Sequence, residues 1–228
     1  MKSALLTELQ RAREIKKPVA VVTQLEDGNQ CLVYCDGSPV SSLDLEASQI
    51  SEIRDLLRCA RSAMLNDGKI FVRSYVPAYR LLIIGAVHIA QALSKLALEC
   101  GYEVTVIDPR RAFATQQRFR DVELDDRWPD EAMADLSPDA QTAVVTLAHD
   151  PKIDDPALIA ALASDAFYIG ALGSRRTHSK RVERLTELGL ENKIQRINAP
   201  VGLNLGGRSH AEIAVAILAQ LIQARYSS

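Results

Sequence analysis

The segment from Arg80 to Asp108 carries the pattern of one strand, one helix and a second strand. Leu81–Ile84 is an unbroken apolar run, long enough for one buried parallel strand. Val87–Cys100 then has apolar residues at helical spacing, and a second apolar run, Val104–Ile107, follows it. This order predicts a strand–helix–strand crossover, which is the opening unit of a nucleotide-binding Rossmann-like fold.

The chain after Asp108 repeats the same alternation. Further strands are predicted near residues 122–124, 142–147 and 166–169, and further helices near residues 131–136, 155–163, 174–188 and 209–224. Alternation of this kind buries parallel strands between two layers of helices. We therefore predict an α/β fold, with a Rossmann-like doubly wound parallel sheet in a domain of residues 80–228.

The sequence pattern of residues 1–79 predicts a separate, small α+β domain. The pattern predicts helices at Leu5–Lys17 and Leu45–Asn66, the second closed by Asp67-Gly68, and strands at Val19–Leu25, Cys31–Cys35 and Ile70–Tyr75. Asp27-Gly28-Asn29 predicts a hairpin turn between the first two strands, because glycine and asparagine tolerate positive φ. The predicted core is small, so we expect this domain to pack on the second domain or on another subunit, and we predict a homodimer.

The charge balance argues against a protein that binds polyanions. The chain has 27 Lys and Arg residues against 29 Asp and Glu, a net charge of -2, so we predict no nucleic-acid partner and no anionic membrane surface. Residues 1–18 lack the apolar core of a signal peptide, and polar residues interrupt the longest apolar windows; we expect a cytoplasmic protein. Four scattered cysteines predict buried thiols, with neither a disulfide framework nor a metal site.

Five loops at the predicted carboxyl ends of the strands, or facing that edge, hold most of the unusual glycine and polar residues. In open α/β sheets ligands bind outside the carboxyl ends of the strands, so this clustering favours a binding site there. The candidate cofactor-binding residues are Gly85, Ala86, His88, Asp108, Arg110, His149, Asp150, Gly170, Gly173, Ser174, Arg175, Arg176, Gly202 and Gly206.

The first of these loops matches the dinucleotide motif G-x-G-x-x-G/A only in part. Gly85 and Ala90 occupy the first and third positions, but Val87 stands where the second glycine lets the backbone approach a pyrophosphate. Asp108, about 20 residues further on, suits a ribose hydroxyl, although it also fits a cap or turn beside Pro109. NAD(P) is therefore the weaker cofactor prediction.

The segment Gly170–Arg176 predicts an anion site. Its glycines leave backbone N–H groups available to an anion, and Ser174 can cap the following helix. Arg175 and Arg176 would then lie in the first turn of that helix, where the helix dipole disfavours cations. Either a phosphate-bearing ligand removes this conflict, or the helix starts elsewhere and the two side chains are simply solvated.

His88 and His149 are candidates for proton transfer, but neither has a nucleophile beside it in the sequence. Each also has a structural interpretation, His88 in the first turn of a helix and His149 at the end of a strand before Pro151. We predict no catalytic residue, and acid–base chemistry at these histidines stays a hypothesis. Downstream, Ser209 and Glu212 have the spacing of a capping box, while Gly206 and Gly207 could bring backbone close to a ligand.

Five ordered blocks of the sequence resemble the carboxy-terminal domain of the xanthine dehydrogenase accessory (XdhC/CoxI) family. They are GAVHIAQAL from Gly85, VIDPR from Val106 with the FAT and RF that follow it, LAHDPKIDDPALIAAL from Leu147, YIGALGSRRTHSKR from Tyr168 and APVGLNLGGRSHAEIAVAILAQ from Ala199. Together they span about two thirds of the chain by the domain division above.

The resemblance implies a cytoplasmic accessory factor for molybdenum hydroxylases. Such a factor holds the molybdenum cofactor, as molybdopterin or its dinucleotide form, supports its sulfuration by a cysteine desulfurase, and passes it to the hydroxylase apoenzyme. Two rival hypotheses stay open. One is an NAD(P)-dependent oxidoreductase, and the other is a regulatory or scaffold subunit of the hydroxylase that binds neither cofactor.

Overall fold

The chain divides into two units, residues 1–77 and residues 78–228. The structure, a computed structural model, describes residues 3–40, 43–65 and 68–227. None of the helices in these ranges is both long enough and apolar enough to cross a membrane.

The first unit is a four-stranded antiparallel sheet with one helix on each face. Its elements are α1 (Ser3–Glu14), β1 (Val19–Gln24), β2 (Gln30–Tyr34), α2 (Ala47–Arg58), β3 (Ala63–Met64) and β4 (Ile70–Tyr75), with strand order β2-β1-β4-β3. Val19 and Val21 face α1, whereas Ala20 and Val22 face α2. Successive side chains of a strand point to opposite faces, which gives this small unit two apolar layers.

The predicted helix at Leu45–Asn66 is wrong in length, because α2 ends at Arg58. Ala60 adopts a φ of +51°, which reverses the chain, and Ala63 and Met64 then pair with β4 as an edge strand. The buried Leu65 continues the apolar spacing of the helix, so the pattern alone did not reveal the break. Asn66 and Asp67, to which the predicted helix and its closing turn extended, lie outside the described residues.

The second unit confirms the predicted α/β fold. Its elements are β5 (Arg80–Ile84), α3 (His88–Glu99), β6 (Glu103–Ile107), β7 (Glu123–Asp125), α4 (Pro129–Leu136), β8 (Thr142–Thr146), α5 (Pro151–Ala163), β9 (Tyr168–Ala171), α6 (Arg175–Glu187), β10 (Ile197–Asn198) and α7 (His210–Ser227). All six strands are parallel, in the order β10-β9-β8-β5-β6-β7. This is the strand order of a Rossmann sheet, whose topological switch point lies between β5 and β8.

Two apolar layers cover the two faces of the parallel sheet. Leu81 and Ile83 of β5 face α3 and α7, whereas Leu82 and Ile84 face α4 and α5. Because both faces are covered, the strands are continuous apolar runs, which is why the sequence revealed them. The candidate site lies at the carboxyl edge of the sheet, between these two layers.

Three local predictions in this unit differ from the structure. The strand predicted at residues 166–169 lies at Tyr168–Ala171, and α5 begins at Pro151. β10 was not predicted at all, because its two residues have no periodicity of their own and form a strand only by pairing with Ile169 and Gly170. Long-range pairing therefore decides this edge of the sheet.

Candidate functional site

The loops after β5 and β8 pack directly against each other at the switch point. Gly85 has a φ of +103°, and a Cβ atom at this position would lie 2.7 Å from the backbone nitrogen of Ala148. Only glycine fits here, because it permits both the backbone conformation and the close approach. Gly85, the first glycine of the partial dinucleotide motif, thus packs against the neighbouring loop.

The carboxylate of Asp108 is fully buried and its acceptor positions are used within the protein. It accepts hydrogen bonds from the backbone N–H groups of Ala86 (2.7 Å) and Arg110 (2.9 Å), and from Nε (2.9 Å) and Nη2 (2.8 Å) of Arg110. Burial alone would raise the pKa of Asp108, but these hydrogen bonds hold it below its ordinary value. A carboxylate accepts about four hydrogen bonds, so none is left for the ribose hydroxyl that the sequence suggested.

The first and last predicted loops meet at the amino ends of two helices. His88 begins α3 and His210 begins α7, and their exposed imidazole rings stack with centroids 5.2 Å apart and planes 18° apart. Val87 is the N-cap residue of α3 and provides no side-chain hydrogen bond to its first turn. The positive ends of two helix dipoles are therefore close together at this edge.

The predicted capping box at α7 is confirmed. Glu212 accepts hydrogen bonds from the backbone N–H groups of Arg208 (3.0 Å) and Ser209 (2.9 Å), and its own N–H donates to the Ser209 hydroxyl at 3.2 Å. A Cβ atom at Gly207 would lie 2.5 Å from Cβ of Glu212. This part of the loop packs against its own helix. The Glu212 side chain occupies the space beside Gly207 in which a ligand was suggested to approach the backbone.

Two glycines predicted at the site have packing roles. Gly170 lies within β9 between β8 and β10, and a Cβ atom there would lie 2.5 Å from Cγ2 of Val201. Gly202 has a φ of +95°, and its Cβ would lie 3.1 Å from the backbone of Ala216. The prediction that Gly170 contributes to an anion cradle is therefore wrong, since it is a buried strand residue. A Cβ atom at Gly206, by contrast, would have none of the described atoms within 4 Å, so its surroundings are open.

The helix after β9 begins where the sequence predicted. Ser174 is the N-cap of α6, and its hydroxyl accepts a hydrogen bond from the backbone N–H of Thr177 at 3.1 Å. Gly173, with a φ of +144°, turns the chain before it. Arg175 and Arg176 thus lie exposed in the first turn, so the alternative of a misplaced helix start does not hold.

A cavity of about 190 Å³ lies between α5 and α6 at this edge of the sheet. Its lining residues are His149, Pro151, Asp154, Asp155, Arg176, Thr177, Lys180, Arg181 and Arg184. His149 and Arg176, which the sequence singled out separately, are brought together here. Asp150 is not in this lining, and its side chain instead caps α5 by accepting from the N–H of Lys152 at 3.0 Å.

The charges in the cavity are only partly paired. Arg184 donates to both carboxylate oxygens of Asp155, at 2.6 and 3.0 Å. Asp154 is buried and accepts from the N–H of Ala148 at 3.1 Å, and burial raises its pKa to about 6. Burial also lowers the pKa of Arg181, which is 2% exposed. The lining holds four basic and two acidic side chains, so it favours an anion.

The sequence profile of the XdhC Rossmann domain matches residues 81–221. The chain belongs to the XdhC family. The resemblance that the five sequence blocks indicated is thereby confirmed, and the matched range contains both the switch point and the cavity.

Two named relatives match over 156 residues, or 68% of this XdhC-family chain. It is 35% identical to the molybdenum cofactor insertion chaperone PaoD of Escherichia coli (strain K12). It is 30% identical to a protein of Bacillus subtilis (strain 168) that is named as a probable subunit of xanthine dehydrogenase. The match covers 43% and 46% of those proteins, so the chain spans less than half the length of either.

A solved structure supports the fold of the whole XdhC-family chain. A xanthine dehydrogenase from Bacillus halodurans superimposes with a TM-score of 0.75, covering 99% of this chain and 68% of that one, at 22% sequence identity. At this identity the likeness shows the fold alone.

Sequence reasoning missed most of the cavity lining in this XdhC domain. Arg176, Lys180 and Arg184 recur every fourth residue, a spacing that places them on one face of α6. That spacing was visible in the sequence, but Asp154 and Arg181 lie on different helices and only folding brings them together. That any of these residues binds a cofactor stays a prediction.

Proposed function

We propose that this protein is an accessory factor that binds the molybdenum cofactor and passes it to a molybdenum hydroxylase apoenzyme of the xanthine dehydrogenase type. The observation that carries the proposal is the positively charged cavity at the carboxyl edge of a domain whose relative is named as a molybdenum cofactor insertion chaperone. Chaperone, here, means a protein that holds its cargo and releases it to another protein.

The chemistry of the cavity fits one end of this cargo. Molybdopterin has a phosphate, and its dinucleotide form has a pyrophosphate. Basic side chains in a partly buried site bind such groups by charge-assisted hydrogen bonds, and Nε and Nη1 of the buried Arg181 have no hydrogen-bond partner among the described residues. A cavity of about 190 Å³ is smaller than typical sites for whole cofactors of about 300–1,000 Å³, so it suits the charged end only.

We assign the predicted site residues to two groups within this proposal. Gly173, Ser174, Arg175, Arg176 and His149 border the cavity or the first turn of α6 and would contact the cargo, and His88 and Gly206 offer exposed groups near the amino ends of α3 and α7. The remaining predicted residues shape the loops around them: Gly85, Ala86, Asp108, Arg110, Asp150, Gly170 and Gly202.

Further parts of the proposal come from the family resemblance. We propose that the factor works in the cytoplasm as a homodimer, and that a cysteine desulfurase acts with it when the cofactor is sulfurated. The form of the cofactor, mononucleotide or dinucleotide, follows from which of the two is recovered with the purified protein.

Two features argue against the rival NAD(P)-dependent oxidoreductase. Asp108 has its acceptor positions filled by Ala86 and Arg110, and Val87 places a branched side chain at the position where the dinucleotide motif needs glycine. We expect no saturable quenching of NADH or NADPH fluorescence by the purified protein. Saturable quenching at micromolar concentrations would support the oxidoreductase instead.

The decisive experiment is purification of the full chain from cells that make molybdenum cofactor, followed by measurement of bound molybdenum and pterin. We expect both in a constant ratio to protein. In the double variant Arg175→Ala, Arg176→Ala we expect the affinity to fall by about a hundredfold or more and most of the molybdenum and pterin to be lost, because each of the two charge-assisted contacts contributes about 1.5–3 kcal/mol. Arg120→Ala, at an exposed arginine outside the cavity lining, is the control.

The same preparation tests the scaffold hypothesis. A protein that carries neither molybdenum nor pterin, yet still captures the hydroxylase, would favour a scaffold or regulatory role over a cofactor carrier.

A further inference from the structure

Arg181 is buried and has donors that the described part of the protein does not use. Its side chain is 2% exposed, and its Nη2 donates to the backbone oxygen of Leu172 at 3.0 Å. Its Nε and Nη1 atoms are buried and have no hydrogen-bond partner there. Burying a charged group with unsatisfied donors disfavours folding. Arg181 is among the residues that line the cavity, so an anion located there would lie beside its buried positive charge and offset part of this cost.

The carboxylates in the cavity do not meet this need. Asp155 is engaged by Nε and Nη2 of Arg184. Asp154 lies close enough to attract Arg181 electrostatically, but it is no hydrogen-bond partner of Nε or Nη1. After the pair of Asp155 and Arg184 is set aside, three cations and one carboxylate remain in the lining.

The three remaining cations, Arg176, Lys180 and Arg181, lie on α6 within two turns. Arg176 and Lys180 are exposed, whereas Arg181 is buried, so the positive charge extends from the surface inward. Guanidinium groups form charge-assisted hydrogen bonds with phosphate oxygens, and Nε and Nη1 of Arg181 have no partner among the described residues.

The size of the cavity suits a small anion. About 190 Å³ is room for one tetrahedral oxyanion together with ordered waters. The excess of two positive charges in the lining matches a doubly charged anion.

We propose that the cavity between α5 and α6 binds the phosphate group of a phosphomonoester, with Arg181 as its buried contact and Arg176 and Lys180 as its exposed contacts. The identity of the molecule that carries this phosphate rests on the proposed function. The phosphate site itself does not, since it follows from the unsatisfied donors and the charge of the cavity.

The test is a titration of the full chain with inorganic phosphate alone and, separately, with methyl phosphate as the simplest monoester. Unfolding temperature and calorimetric heat are measured at constant pH and ionic strength, with chloride as the reference anion. We expect both phosphates to raise the Tm saturably, because a ligand that binds only the folded state stabilises it.

Substitutions of the exposed Arg176 and Lys180 provide the main test, because they leave the buried core unchanged. We expect Arg176→Gln and Lys180→Gln each to weaken phosphate binding about tenfold, the loss expected for one charge-assisted hydrogen bond. Asp154→Asn removes a competing negative charge and should tighten binding several-fold. Arg120→Gln, an exposed arginine outside the lining, is the matched control and should leave binding unchanged.

Arg181→Met tests the buried contact directly. An apolar side chain of similar length removes the unsatisfied donors, so we expect the variant to melt in chloride within about 4 °C of the wild type and to show no phosphate response. If this variant does not fold, the exposed variants decide the question.

The outcomes separate the phosphate site from the proposed function. A phosphate response no larger than that of chloride, or one that the variants of Arg176, Lys180 and Arg181 retain, overturns the site. Binding of inorganic phosphate without methyl phosphate overturns the assignment to a monoester. A protein that binds both phosphates but is purified without molybdenum and pterin refutes only the proposed function.

Discussion

Asp108 and Arg110 form a closed ion pair at the carboxyl end of β6. Three donors of Arg110, its backbone N–H, Nε and Nη2, reach the carboxylate of Asp108 at 2.9, 2.9 and 2.8 Å. The carboxylate is fully buried, while the Arg110 side chain is 35% exposed. The fourth hydrogen bond, from Ala86, ties this pair to the loop after β5.

We predict that Asp108→Asn lowers the free energy of unfolding by about 2 kcal/mol at pH 7, because the amide cannot form the charged hydrogen bonds. Urea denaturation measures the change. Asp126→Asn is the control, since Asp126 pairs with Arg111 at the surface, where both side chains are exposed, and exposed pairs contribute about 0–1 kcal/mol. Equal effects of the two substitutions would contradict the assigned role of Asp108.

The effect of Asp108→Asn depends on pH. The pKa of Asp108 in the folded protein lies below its ordinary value of 3.8, so its ionisation stabilises the fold at pH values above 3.8. This contribution is lost as the pH falls through the lowered folded pKa. The difference between wild type and variant should therefore persist at pH 5 and shrink only in stronger acid.

Asp154 should give the opposite dependence on pH. Burial raises its pKa from 3.8 to about 6, so the folded state holds this proton more tightly than the unfolded state does. Its contribution is fully present below pH 3.8 and is lost as the pH rises through about 6. We predict that Asp154→Asn stabilises the protein by on the order of 3 kcal/mol at pH 8 and by about half as much at pH 5.

Urea denaturation at those two pH values tests the prediction for Asp154. Asp165→Asn, at an exposed residue of the same unit, serves as the control for the charge change. A gain of the same size at both pH values would show that titration of Asp154 is not its cause.

Gly85 and Gly101 allow a comparison of two left-handed glycines in one unit. Position 101 has a φ of +79° with no described atom within 4 Å of the Cβ site, whereas position 85 combines a φ of +103° with a Cβ site 2.7 Å from Ala148. We predict that Gly101→Ala lowers the free energy of unfolding by about 1 kcal/mol, because alanine disfavours the left-handed backbone conformation. Gly85→Ala should cost about 3 kcal/mol or more, because overlap with the adjacent loop adds to that strain. Urea denaturation of both variants measures this, and similar costs would contradict the close approach of the two loops.

Two buried threonines of β8 differ in their hydrogen bonds. Thr142 Oγ1 donates to the carboxylate of Asp139 at 2.7 Å, whereas Thr146 Oγ1 is buried without a partner among the described residues. We predict that Thr146→Val stabilises the protein by about 1 kcal/mol, since it removes an unsatisfied hydroxyl, and that Thr142→Val destabilises it by about 1 kcal/mol. Thermal unfolding of the pair measures both signs, and stabilisation by neither or by both would refute the assignment.

The sequence predicted the larger part of the fold because its signals are local. The apolar runs of β5, β6 and β8, the capping residues Ser174 and Ser209, and the hairpin turn at Gly28 depend on residues close in the chain. The predicted helix at Leu45–Asn66 was wrong in length because the edge strand β3 repeats the apolar spacing of the helix, and only pairing with β4 separates the two.

The sequence predicted the loop residues of the candidate site but not the residues that pack around them. Loop residues such as His149 and Arg176 could be named, because the carboxyl ends of parallel strands share one edge of the sheet. Which side those residues face, and what else faces them, depends on the packing of α5 on α6. Arg181 and Asp154 are 27 positions apart in the sequence, and nothing local marks either of them as special.

By itself, the sequence determined most of the strands and helices but not β3 and β10, together with helix caps such as Ser174 and membership of the XdhC family, because periodicity, capping chemistry and motifs are read residue by residue. Only the tertiary structure decided that protein donors use the hydrogen-bond acceptor positions of Asp108, and that protein atoms pack closely against Gly85 and Gly170. It also decided that Arg181 is buried with two donors that have no partner among the described residues. Burial and hydrogen-bond saturation are properties of atoms brought together from distant positions, so no local pattern contains them.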